Sequence, residues 1–305
     1  MNVAEFAVAA LVLVALMVSR RVPPHLRRLA SWIVIGATLV VVTSPFLWLL
    51  AAAFKERSAF AEHVFFPPLS RWPETMTLDN FRVLFAGDTS AQGAVPFWRY
   101  VVNSLFVTSA STVVQLVTSA LGGYALAVFR FRGRALMLAL VVGSFLVPGM
   151  LLVAPLYEMS VDLGLIDTYT GLLLPGAVST YGMFLYRQAF LGVPAELIEA
   201  GRVDGCGELQ IFWKLVLPLV RPVSAAFCLV AFLGSWNAYL GPNVLLHSQH
   251  KLTMPIVLSL YVAQHYNQFG VFLAGTLLAI LPPALLFFVL QREFVQGLTS
   301  GAVKG

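Results

Sequence analysis

The chain has 305 residues, of which 59% are hydrophobic and only 11% charged, with a formal net charge of +5 and a mean hydropathy of +0.85. Those proportions exclude an ordinary soluble domain built around one core. The positive balance does not point to nucleic acid, because the Arg and Lys residues cluster beside apolar runs, where they set membrane orientation.

In chain order, the first apolar run is Phe6 to Val18, about 13 residues and short for a span. Three readings stay open for it: a seventh span with Met1 outside, an interfacial segment, or a start placed too early, since Met17 precedes the basic stretch Arg20 to Arg28. Six runs follow that are long enough to cross about 30 Å of hydrocarbon as helices. They are Trp32 to Phe54, Tyr100 to Phe129, Ala135 to Tyr157, Tyr169 to Leu191, Val223 to Leu246 and Phe269 to Leu290. Barrel strands would alternate polar and apolar residues in segments of about ten, and these runs are apolar on all sides. The expected fold class is therefore an all-α integral membrane protein with a six-helix core and the N-terminal run as a candidate extra segment. Residues 1–29 read as a hydrophobic and basic lead-in, and 30–305 as the membrane domain.

Charge assigns the sides. Arg20, Arg21, Arg27 and Arg28 precede the first span, Arg130, Arg132 and Arg134 fill the next short loop, and Arg187, Arg202, Lys214 and Arg221 flank the fourth-to-fifth connection, so these regions are expected in the cytoplasm. The loop with Glu158, Asp162 and Asp167 and the fifth-to-sixth loop with Lys251 are expected outside, the acids as loop charges rather than ion ligands. The segment 55–99 carries both signs and many Pro, Trp and Phe residues, which predicts an ordered external cap. Both ends of the six-span core, the C-terminus included, then lie inside.

The loop at 192–218 is the most informative stretch. Pro194 suits a first helical position, Glu196 and Glu199 sit where the helix dipole favours negative charge, and Gly205 with Gly207 interrupts the pattern before a second short helix. A helix of about nine residues is not stable alone in water, so it must pack on something, either its own bundle or another protein. Leu197, Ile198 and Gly201 share one side, and the small Ala200 and Gly201 permit close approach.

Glu199-Ala200-Gly201, two residues, Asp204-Gly205, nine residues, then Leu215-Val216-Leu217-Pro218 resembles the EAA loop of binding-protein-dependent ABC importer permeases. Asn80-Phe81, Tyr100 to Ser104, Ser235-Trp236-Asn237 and the ending Gln296 to Gly305 resemble the second permease subunit of the maltose-type branch, from about Arg27 onward. Gly201 departs from the usual Ala, and Cys206 stands where another small residue is usual. The resemblance implies a bacterial inner-membrane assembly: this chain, a second homologous permease, a dimeric cytoplasmic ATPase that binds ATP and Mg, and an extracytoplasmic solute-binding protein delivering a sugar. It also implies that Glu196, Glu199, Ala200, Gly201, Asp204 and Gly205 form a coupling helix docked on the ATPase. Gly297 to Gly305 would be a second contact or a frayed end.

Polar groups inside spans are costly unless they face a partner or a water-filled path. Asn103, Trp236, Asn237 and Tyr239 are the candidate pathway residues, with Gln115 and Gln188 also to be weighed. An amide beside aromatic rings suits a sugar, and it equally suits bonding between helices. Gly122, Gly123, Ser109, Ser111, Ser119 and Ala120 are expected to let helices pack closely. The five His residues and the two cysteines, Cys206 and Cys228, lack ligand spacing, so no metal or disulfide is expected. No GxxxxGK[ST], HExxH or GxSxG occurs, so the chain is expected to be a transport subunit without its own ATP site or catalytic residues. The competing classes are an ion-coupled secondary transporter, which would carry intramembrane acids, and a membrane anchor.

Overall fold

A computed structural model of the chain describes residues 23–56, 58–86, 95–264 and 269–302, the side chains at 61, 262–264 and 294–302 excepted. The run Phe6 to Val18 lies outside the described residues. Among the described residues, three helices are long and apolar enough to cross a membrane: α1 (Pro24–Ala53), α3 (Phe97–Val128) and the Phe269–Glu293 part of α13 (Phe269–Ala302). They coincide with the first, second and sixth expected spans. Because α1 begins at Pro24, residues 24–29 of the expected lead-in already belong to the helix.

The other expected spans are broken. In the third, α4 (Arg134–Gly143) and α5 (Val153–Asp162) belong to arms that meet at 99°. Pro148 explains the bend, since proline forces the residue before it out of helical conformation, and Val147 is extended at φ −87°, ψ 113°. The fourth splits at Pro175-Gly176 into α6 (Tyr169–Leu173) and α7 (Thr180–Phe190). Ser179 caps α7 by accepting from the Gly182 N–H at 3.1 Å. The fifth runs as α10 (Arg221–Trp236), pauses, and resumes as α11 (Leu240–Leu245). The fifth-to-sixth connection, expected as a loop, contains an apolar helix, α12 (Met254–Gln264), too short to cross at about 1.5 Å per residue.

The chain divides into two compact units. One comprises the described residues up to Asn80 together with Phe269–Leu277. In it, Ala51, Ala52 and Ala53 at the end of α1 are fully buried. The Asn80 amide, in α2 (Asp79–Ala86), donates to the carbonyls of Ala53 and Lys55 at 3.0 and 2.9 Å, satisfying groups the helix end leaves open. Lys55 is buried, bridges to Met76, and donates to the carbonyls of His63 and Val64 at 2.5 and 3.1 Å. Within the expected cap, Lys55, His63, Val64 and Asn80 are thus tied into this unit by hydrogen bonds.

In the other unit, Phe81–Gln268 with Leu278–Gly305, α3 packs along α7. A Cβ on Gly123 would stand 2.6 Å from the Tyr186 Cβ and 2.9 Å from the Arg187 backbone nitrogen, so glycine is what permits this helix approach. The Ala177 carbonyl, freed by the break before α7, is not left bare in an apolar medium: Thr118 donates to it at 2.7 Å. Ser119 donates at 3.1 Å to the Ser179 carbonyl, which also accepts the Met183 N–H of α7 at 2.9 Å.

Candidate functional site

Two regions of this second unit concentrate functional features. The first is the 192–218 loop. α8 (Ala195–Val203) starts after Pro194, which caps the helix rather than occupying its first position. Its end is a Schellman turn: the N–H of Cys206 reaches the Gly201 carbonyl at 2.9 Å and the N–H of Gly205 reaches that of Arg202 at 3.1 Å. That turn requires a left-handed residue, and Gly205 supplies it at φ +79°. α9 (Glu208–Gln210) then leads into a π-helical segment, Ile211–Val216. Pro218 follows and cannot donate to the helix. The path to α10 turns through 85°.

The inner face of α8 is settled by its own chain. Ile198 and Gly201 are buried and Leu197 is half-buried. A Cβ on Gly201 would lie 2.9 Å from Leu215 Cδ1 and 3.1 Å from Ile211 Cγ1. The close approach expected for another protein at Gly201 is therefore made within the chain. Glu196, Glu199, Ala200, Asp204 and Gly205 are all exposed and together form the free face. Beneath α8 lies an apolar cluster that includes Tyr124, Tyr186, Phe190, Ile211, Phe212 and Val216. Arg202 and Glu208 form an ion pair across the turn at 2.7 Å. Neither was among the expected coupling residues, because their relation appears only once the turn brings them together.

The second region is a cavity of about 520 Å³ where the broken helices meet, within the usual size for small-molecule sites. α3 contributes Ser104, Thr108, Ser111 and Gln115, spaced by four, three and four so that they fall on one helix face. The lining also includes Ser179, Ser235, Trp236, Tyr239 and Thr253. The Thr253 hydroxyl is buried without a hydrogen-bond partner among the described residues. Gln115 donates to Ser111 Oγ at 3.0 Å. None of the residues lining the cavity is charged.

The four expected pathway residues divide evenly. Trp236 and Tyr239 line the cavity, while Asn103 and Asn237 do not. Trp236 is 2% exposed, stacked on Phe232, and donates its indole N–H to the Ala279 carbonyl at 3.0 Å. The Asn103 amide donates to the carbonyls of His250 and Leu252, both at 2.9 Å, and so stitches a loop to α3. Asn237 donates to the Leu233 carbonyl at 3.0 Å, closing the last turn of α10. Asn103 thus bonds across to another segment, while the Asn237 bond stays within its own helix. The polar stripe on α3 was the missed signal, since hydroxyls at helical spacing are unremarkable one at a time. Gln188 is exposed and outside the cavity lining.

A third cluster joins two loops. Asp167, at φ 57°, accepts from the backbone N–H groups of His247 and Ser248 at 3.0 Å, from Ser248 Oγ at 2.5 Å, and from Lys251 Nζ at 2.9 Å. The Ser248 bonds, followed by Lys251, hold its carboxyl well below the usual carboxylate range. Asp167 is thus an ion-paired loop clasp. No group of His, Cys, Asp and Glu residues able to hold a metal occurs among the described residues.

Residues 97–300 match the family model described as binding-protein-dependent transport system inner membrane component. The chain is 37% identical over 278 residues to the arabinooligosaccharides transport system permease protein AraQ of Halalkalibacterium halodurans, covering 90% of this chain and 97% of that protein. It is 35% identical over 232 residues to the lactose transport system permease protein LacG of Rhizobium radiobacter, covering 75% of this chain and 81% of that one. Among solved structures, a chain of a bacterial ABC transporter involved in the import of the acidic polysaccharide alginate superposes with a TM-score of 0.74 at 24% identity, covering 90% of this chain and 98% of that chain. That likeness supports the fold.

Proposed function

The chain belongs to the family of binding-protein-dependent transport system inner membrane components, and from that premise we propose that its solute is a neutral sugar or oligosaccharide and that α8 couples its movement to a separate ATPase. It is a multi-pass permease subunit of the inner membrane, not itself an enzyme. The observation that carries the solute class is the cavity lining: hydroxyls, one amide and the exposed rings of Tyr181 and Tyr239, with no charge. An acidic or phosphorylated solute would need a cation there, whereas amides and hydroxyls pair with sugar hydroxyls and aromatic faces cover the apolar side of a ring. The printed functions of AraQ and LacG agree with that class.

Coupling rests on the free face of α8. Glu196, Glu199 and Ala200, with Asp204 and Gly205 at its end, face away from the chain's own core, on a short helix held from behind by buried contacts. Glu199 offers charge-assisted bonds to a basic groove, and Ala200 leaves room for the groove wall. The family resemblance gives ATP and Mg to that ATPase, a dimer, and this sequence has no phosphate-cradling motif of its own. A second homologous permease completes the membrane pathway and a solute-binding protein delivers the sugar from outside. The loop 192–218, the C-terminus and the basic loops face the cytoplasm, and the 55–99 segment faces outward. The tail from Gly297 is a further candidate contact for the ATPase.

Uptake of labelled arabino-oligosaccharides, lactose and glycerol 3-phosphate by cells with and without the chain tests the solute class. Loss of a neutral saccharide on deletion, reproduced by filling the cavity with Gly234→Phe, is the expected result. Loss confined to glycerol 3-phosphate would contradict it.

A further inference from the structure

The turn at Gly205 is exposed, and a Cβ there would meet nothing within 4 Å. A push on α8 from a docked ATPase therefore reaches the membrane helices through the contacts that join α8 to them, not through the backbone of this turn. We propose that Tyr124, Glu208 and Arg202 form a positioning latch that spans the turn and fixes α8 to α3, so that movement imposed on the loop is delivered to the cavity-lining helix. This rests on the coupling role given to α8 above.

Arg202 lies in the last turn of α8, Glu208 opens α9, and Arg202 Nε donates to Glu208 Oε1 at 2.7 Å. The other carboxylate oxygen, Glu208 Oε2, accepts from the Tyr124 hydroxyl at 3.4 Å. Tyr124 belongs to α3 and is itself immobilised: it is 4% exposed, with the rings of Phe129, Phe190 and Phe212 at 5.7, 5.7 and 5.2 Å. Phenylalanine would fill the same apolar site, so what tyrosine adds is the hydroxyl. Arg202 and Glu208 are each about two-fifths exposed, and ion pairs that wet add little to stability. Their value lies in direction. One carboxylate, bonded on one side to α8 and on the other to a ring fixed in the core, links α8 to α3. The same α3 carries Ser104, Thr108, Ser111 and Gln115 into the cavity, so one rigid helix joins the latch to the solute path, as coupling between distant sites requires.

The test uses the importer purified through a tag on this chain and returned to proteoliposomes, with Cys206 and Cys228 replaced by Ala and a reporter Gly234→Cys in the cavity wall, where a Cβ meets nothing within 4 Å. The rate of labelling by a hydrophilic maleimide is measured with and without ATP, Mg and vanadate, beside ATPase recovery and thermal midpoint. With Tyr124→Phe or Glu208→Gln, the nucleotide-driven change in labelling is expected to fall at least about fivefold, the lower range of measured couplings, at undiminished ATPase recovery and thermal midpoint. Arg202→Glu combined with Glu208→Arg is expected to restore more of the change than either substitution alone. A Tyr124→Phe complex that keeps the full change overturns the latch, as does a charge-reversed pair no better than its single variants. If the reporter chain with native Tyr124 recovers no ATPase, the coupling reading itself fails and the latch with it.

Discussion

Gly201 and Gly205 lie four positions apart and are glycine for opposite reasons: Gly205 because its backbone is left-handed in open space, Gly201 because Leu215 and Ile211 press on it. The motif placed both residues in the loop, but their roles were not legible, since a glycine letter does not say whether it serves conformation or contact. The same limit applies to Asn103 and Asn237. An amide in an apolar run reads alike whether it awaits a solute or satisfies a carbonyl, and here both satisfy carbonyls. Asp167 gives a residue-scale prediction. Its carboxyl is held low by Ser248 and Lys251, so the folded state binds fewer protons than the unfolded one as pH drops. The clasp is complete above about pH 4, the unfolded carboxylate value, and weakens as pH falls from there toward the lower folded value. Asp167→Asn, which keeps tolerance of the left-handed backbone, is expected to cost on the order of 1–2 kcal/mol at neutral pH and to flatten the acid limb. Thermal midpoints of both chains in detergent from pH 7 down to about 3 measure it; parallel acid limbs would contradict the assignment.

At the scale of elements, hydropathy located the apolar runs but not their breaks. The first, second and sixth spans emerge continuous because no structural break interrupts them, even with Pro45, Pro282 and Pro283 inside their helices. The third bends at Pro148, the fourth parts at Pro175-Gly176 and the fifth pauses after Asn237. Proline alone does not distinguish the two outcomes, because neighbouring hydroxyls decide whether a freed carbonyl can be left outside a helix. α12 was missed for a related reason: its length fits no span, and its burial comes from tertiary packing. The break before α7 can be tested through the hydroxyl that satisfies it. Thr118→Val keeps shape and leaves the Ala177 carbonyl without its 2.7 Å partner, which is expected to lower stability by about 1–3 kcal/mol. Thr118→Ser, which retains the hydroxyl, should lose much less. Equal melting of the Val and Ser variants would show that the bond does not hold the break.

For the whole molecule, composition alone established the membrane as solvent, and the EAA-like spacing carried the family resemblance that the match over residues 97–300 bears out. The cavity was not legible, because it exists only where three interrupted helices and the α3 stripe converge. The division into units was not legible either, since the described residues up to Asn80 associate with Phe269–Leu277 from the far end of the sequence. The central claim is that this permease subunit presents the outer face of α8 to an ATPase. The measurement that tests it most directly is recovery of partner proteins with the tagged chain and with its Ala200→Trp variant from solubilised membranes, identified by mass spectrometry. Ala200 is exposed, so tryptophan there obstructs docking without disturbing the chain's own packing. An ATPase recovered with the native chain and lost with the variant is the predicted result. A native chain that purifies folded but without an ATPase, or a variant that retains it, would contradict the account.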